Sequence, residues 1–241
     1  MSRPAPFIAA VLAQARMEGR LTARRGENLL AMVGIPAAVL VFLAAVGRDV
    51  GDLLASTLAL AIVASGLVNL GIATAYERGY GVLKRVGGAP LGRSGVLTAK
   101  LAIVVAIAIL QVVALVVLAA VLGWRPSPST SWLGLAITTI VGVAAFAGLG
   151  LFLAGSLRPE AALVAANALF VVAILLGGIL VPIADLPTPL AMIAGLLPIG
   201  ALADAFAAAL TGTASIVAPV VFVGAWAVVA FAAAASTFHW E

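Results

Sequence analysis

The chain has 241 residues, of which 64% are hydrophobic and 9% charged, with a mean hydropathy of +1.26. Soluble domains carry about 25% charged residues, and so few polar side chains cannot cover a water-facing surface of this size. The absence of cysteine excludes disulfides and thiolate sites, the single His239 excludes a multi-histidine metal site, and the net charge of +4 reports orientation in a bilayer before it reports nucleic acid.

The first element in chain order is an N-terminal segment, residues 1–28. Phe7, Ile8, Val11, Leu12 and Ala15 fall on one helical face, and Arg16, Arg20 and Arg24 recur at four-residue intervals on another. That pattern predicts an amphipathic helix at the membrane interface, its basic stripe at lipid headgroups. The plainer reading of the same arginines is topology-setting charge ahead of the first span. The length of this segment argues against a cleaved secretory signal.

A hydrocarbon core of about 30 Å takes about 20 apolar helical residues to cross. Six runs meet that length without Lys, Arg, Asp or Glu: Leu29 to Val46, Leu53 to Ala75, Leu101 to Leu122, Trp132 to Ala154, Ala161 to Val181 and Ile216 to Ala235. They are apolar on all sides, whereas barrel strands alternate, so the expected fold is all-α with six transmembrane helices in one domain, residues 1–241. Of the 13 basic residues, 11 fall on one side of this topology, and only Arg48 and Arg125 on the other. The positive-inside rule then puts the N-terminus and the loops 76–100 and 155–160 in the cytoplasm.

Residues 182–215 are apolar but interrupted by Pro187, Pro189, Pro198, Gly200 and Asp204. Two short helices that enter from the outer face and return are expected, because broken helices are tolerated at membrane depth when packed against protein. A seventh span over 190–210 is the competing arrangement.

Polar groups inside the apolar runs are the candidates for function. Asn69, Gln111 and Asn167 must each find hydrogen bonds within the bundle or line a substrate path, since an unpaired amide in hydrocarbon costs several kcal/mol. Asp204 is a carboxylate at membrane depth and hence a candidate gate or pathway group; at the wet end of a short helix it is simply a surface acid. Gly134, Thr138, Gly142, Ala144 and Gly148 place small residues along the fourth span, where helices can approach closely, within one subunit or between two. The loop 76–100 is the only long polar connection, and Leu83, Val86 and Leu91 punctuate its charges at roughly helical spacing. A short helix on the membrane or against a partner is expected there.

Within this loop, Glu77-Arg78-x-x-Gly81-x-Leu83-Lys84, followed by Pro90-Leu91 and by Lys100 at the next span, resembles the membrane subunits of ABC-2 type transporters, particularly daunorubicin-resistance-like permeases. Pro36 in the first span, the interrupted segment Gly178 to Gly212 and the ending Phe238-His239-Trp240-Glu241 agree. The resemblance implies a six-span permease with both termini in the cytoplasm of a bacterial-type membrane, assembled as two copies or a related pair. It further implies a separate ATPase subunit that binds ATP and Mg. Glu77, Arg78, Gly81, Leu83, Lys84, Pro90 and Leu91 would then form the segment that contacts this ATPase. The chain itself has no G-x-x-x-x-G-K-[ST] phosphate loop and is expected to be neither an enzyme nor a cofactor or metal protein. The cargo implied is an amphipathic or hydrophobic compound such as a drug, lipid or glycoconjugate; nucleic acid is not expected. An ATPase-independent transporter or channel and a non-transporting membrane scaffold are the rival functions.

Overall fold

The computed structural model describes residues 7–24, 26–87, 92–181 and 183–237. Among them no strand occurs. The helices are α1 (Phe7–Arg24), α2 (Gly26–Ala45), α3 (Val50–Val63), α4 (Leu70–Gly79), α5 (Val82–Gly87), α6 (Gly92–Val121), α7 (Trp132–Ser156), α8 (Pro159–Leu176), α9 (Thr188–Leu196), α10 (Pro198–Thr211) and α11 (Val217–Thr237). A π-helical turn, Ala64–Asn69, joins α3 to α4, so residues 50–79 form one rod about 45 Å long.

Local chemistry sets the helix limits. Asp49 Oδ1 accepts from the amides of Gly51 (2.8 Å) and Asp52 (3.1 Å) and so starts α3. Ser131 Oγ accepts from Gly134 N at 3.0 Å and starts α7. Pro159 and Pro198 begin α8 and α10, where a missing N–H costs nothing. Gly212, at φ +66°, ends α10 in the left-handed conformation and leaves no room for a side chain against Ser129.

Among the described residues, five helices are long and apolar enough to cross a membrane: the rod 50–79, α6, α7, α8 and α11. The first expected span corresponds to α2, which contains Pro36. Its apolar part, Met32–Ala45, is shorter than the others, because the helix opens on the polar residues Glu27 and Asn28. The spans that flank the basic loop overrun their apolar stretches. The rod continues to Gly79 and α6 begins at Gly92, since a helix does not stop where the hydrocarbon does. The polar connection is correspondingly shorter than 76–100 suggests.

The rod and α7 form the centre, and small residues bring them together. A Cβ on Gly150 would lie 2.6 Å from Gly66 O, and one on Gly71 would lie 3.0 Å from the Cα of Gly150. The small-residue face of α7 is used within the chain: Gly142 receives Leu202 of α10, and Gly148 abuts Ala230 of α11. The helices α6, α8 and α11 turn most of their apolar surface outward, as lipid-facing helices do.

The bend between α9 and α10 is 78°, placed where Pro198 cannot continue the preceding helix. Both ends of the pair lie at the same end of the bundle. It enters after α8, beside Arg48, and leaves at Thr211, whose carbonyl accepts from Ser129 Oγ at 2.7 Å, while Leu210 O accepts from Thr130 Oγ1 at 2.7 Å. These contacts fit a pair that returns and not a seventh span. The last span then ends beside the basic loops, with Ser156 Oγ donating to Thr237 Oγ1 at 2.9 Å. With the chain's natural lack of cysteine, single cysteines replacing Asp185 and Ser215 should react with an impermeant maleimide from one side of the membrane. A cysteine replacing Ser236 should react only from the other. Labelling of the first two from opposite sides would make the pair a crossing.

Candidate coupling end and lateral groove

At the end of the bundle that carries the basic loops, the rod finishes in Tyr76-Glu77-Arg78-Gly79. Arg78 reaches the C-terminus of α7, its guanidinium donating to Gly155 O at 2.5 Å and to Leu157 O. Those carbonyls have no partner within the helix, and the cation also meets the negative end of the helix dipole. Glu77 turns to Lys100, 2.6 Å away, and Lys100, only 5% exposed, also lies 3.4 Å from Glu18 of α1. Three segments distant in the chain are thus joined through one ammonium group. The N-terminal helix packs on α6 through Ala15 and Gly19, the latter against Ile103. Arg16 and Arg20 lie exposed along it. The side chain of Arg24 is outside the described residues.

Beyond Gly79, which packs against Pro159, Gly81 adopts φ +68° and reverses the chain into α5. In this short helix Leu83 is 1% exposed, whereas Tyr80 is 71% and Val82 39% exposed; Lys84 and Arg85 also reach the surface. The structure thereby redistributes the expected contact residues. Glu77, Arg78 and Leu83 are engaged inside the chain, Gly81 makes the turn, and Lys84 is at the surface. Pro90, Leu91 and the segment Phe238-His239-Trp240-Glu241 lie outside the described residues. Tyr80, Val82 and Arg85 are the surface groups that the motif did not single out. In a six-residue helix the spacing alone does not tell an inward leucine from an outward valine.

Between α2, the rod and α8 runs a lateral groove of about 790 Å³. Met32 and Ile35 form one wall, and Leu163 and Phe170 the other. Its polar groups are Asn69, Asn167, Tyr76, Glu77 and Tyr80. Asn69 is carried by the π-helical turn, and its amide has no hydrogen-bond partner among the described residues. Asn167 donates Nδ2 to Leu163 O at 2.9 Å. The two asparagines expected to be either glue or path therefore share one cavity, although 98 positions separate them. Beyond the far end of the groove, Arg48 Nη1 donates to Ile179 O (3.0 Å) and Leu180 O (2.9 Å), tying the turn after α2 to the end of α8.

Gln111 does not join them. It is fully buried on α6, its Nε2 donating to Met32 O at 2.9 Å, so it fastens α6 to α2, while its Oε1 is buried without a hydrogen-bond partner among the described residues. Asp204 stands apart as well, in a separate pocket at the opposite end of the molecule.

No curated protein matches the chain. The profile of the ABC-2 type transporter family matches residues 11–211, from the N-terminal helix to the end of the re-entrant pair. That stretch contains the candidate coupling end, the groove and the paired short helices. The chain belongs to the ABC-2 type transporter family, and within it is a permease subunit, the membrane-embedded component that works with an ATPase partner.

Proposed function

We propose that this chain, with a second copy or a homologue, forms the path of an ATP-driven exporter of the daunorubicin-resistance-like kind. The cargo is an amphipathic or hydrophobic compound, and a separate ATPase binds ATP and Mg and docks on the basic end, in the cytoplasm. One observation carries the reading. The rod of residues 50–79 supplies Asn69, Ile72 and Tyr76 to the groove and ends in the exposed surface of Tyr80 and Val82, which line the groove's last part. Movement imposed on that surface is movement of the groove wall, because a continuous helix transmits displacement along its axis. The groove is apolar with a few amide and phenol groups and the Glu77 carboxylate at one end, which suits a cargo with a large hydrophobic part and a small polar one.

Docking on Tyr80 and Val82 predicts that Tyr80→Ala, the loss of an exposed aromatic anchor, weakens ATPase assembly by about 2 kcal/mol, roughly 30-fold. Val82→Asp should uncouple ATP hydrolysis from transport while leaving insertion intact. Leu83→Asp differs: it buries a charge inside the chain and should lower the yield of folded protein itself. Co-purification with the ATPase and vesicle transport measure each effect. Normal assembly and coupled transport in both surface variants would remove the docking assignment.

A further inference from the structure

At the end opposite the basic loops, α9, α10 and the start of α11 surround a pocket of about 490 Å³. Small residues such as Ala194, Gly200, Ala201 and Ala218 line it, and its polar groups are the Asp204 carboxylate and the Ser215 hydroxyl. Asp204 is the only charged residue in this lining. Among the described residues its carboxylate has neither an ion pair nor a hydrogen bond. The final turn of α10 is held to the 127–131 loop through Thr211 and Leu210. Asp204 precedes Thr211 by two helical turns, about 10 Å along the helix axis, and its side chain is exposed to the pocket. A carboxylate among such small apolar walls is satisfied by water or by a cation that enters the pocket.

The chain supplies no cation here. No Lys or Arg follows Arg158 in the sequence, so α9, α10 and α11 have none to offer. The two basic residues at this end are already engaged: Arg48 holds Ile179 O and Leu180 O, and Arg125 holds Ala120 O and Trp124 O. A bare metal ion does not suit the pocket, because hard cations require several oxygen ligands and no cluster of three or more acidic or histidine residues exists among the described residues. An ammonium on an alkyl chain does suit it. One carboxylate meets the charge, and alanine and glycine walls make room for methylenes in a volume typical of ligand pockets. We infer that this pocket binds an amphipathic organic cation, with Asp204 as counter-ion and the Ala201 and Ala218 walls around its apolar part.

The test uses purified protein in zwitterionic nanodiscs, with empty nanodiscs as the blank and a dansyl-tagged long-chain alkylammonium as the probe. Saturable binding is expected, displaced by the untagged alkylammonium and not by an alkyl sulfate of equal length. Asp204→Asn should weaken binding at least tenfold, and Asp204→Glu should retain it. Ala218→Leu, which fills the pocket and keeps the carboxylate, should weaken it several-fold, so the pocket is tested even if the Asp204 variants fold poorly. Asp185→Asn, an exposed acid outside the pocket, should have no effect. Unchanged affinity in Asp204→Asn and Ala218→Leu, or equal displacement by the sulfate, would overturn the site and leave Asp204 a hydrated surface acid. Because no ATPase is present, failure here leaves the permease assignment untouched.

Discussion

Lys100→Met should destabilise the protein by about 3 kcal/mol, at the lower end of what is lost when one member of a buried ion pair is removed. The ammonium group lies between Glu77 (2.6 Å) and Glu18 (3.4 Å), and its removal takes the shared cation from both carboxylates at a partly buried junction. The two acids are 28% and 18% exposed, so water offsets part of the loss, which is why the lower end applies. Thermal unfolding in detergent reads the effect. Adding Glu77→Gln to Lys100→Met should recover part of it, because the carboxylate nearest the lost ammonium is then neutral. A melting temperature equal to that of the parent protein in the single variant would show that the triad contributes nothing.

Gly150→Val should have a larger effect, with little or no folded protein obtained. At this crossing the obstacle on each side is backbone, with Gly66 O 2.6 Å and Leu67 O 3.1 Å from the position a Cβ would take. Backbone in the centre of the bundle cannot move aside as a flexible side chain can, so the expected cost exceeds the usual 1–3 kcal/mol or so of overpacking. Gly34→Ala is the matching control, since a Cβ there meets nothing within 4 Å, and it should be neutral or slightly stabilising. Size-exclusion profiles and melting curves of the two variants measure the difference. A monodisperse Gly150→Val protein with parental stability would mean that the two central helices are not held at this contact.

Much of this architecture can be read from the amino-acid sequence because lipid imposes a simple rule: uncharged runs cross. Pro187, Pro189 and Pro198 likewise mark the broken pair by their clustering, whereas the lone Pro36 sits inside the continuous helix α2. The first span was less legible, as α2 mixes a polar start with a short apolar stretch. Side-chain roles at the candidate coupling end were the least legible. Glu18, Glu77 and Lys100 meet across long sequence separations, and nothing in the local pattern of any of them names the others. The same holds for Arg78: its motif position suggested a partner's surface, and nothing local foretold that its guanidinium also closes the end of α7. Asn69 and Asn167 were recognisable as amides in apolar runs, but only the packing of α8 beside the rod puts them in one groove.

The contacts of α7 bear on how the protein is made. Membrane insertion machinery orients a segment largely by the lysines and arginines that flank it, and the chain emerging after Arg158 has none. Its final third, including the two short helices and the last span, carries no address of its own. What it meets is α7, already seated, with Gly142 ready to receive Leu202 and Gly148 to receive Ala230. The fourth span thus serves as a template, and biogenesis must proceed from the N-terminus: the short helices can be held part-way into the bilayer only once the surface that holds them stands.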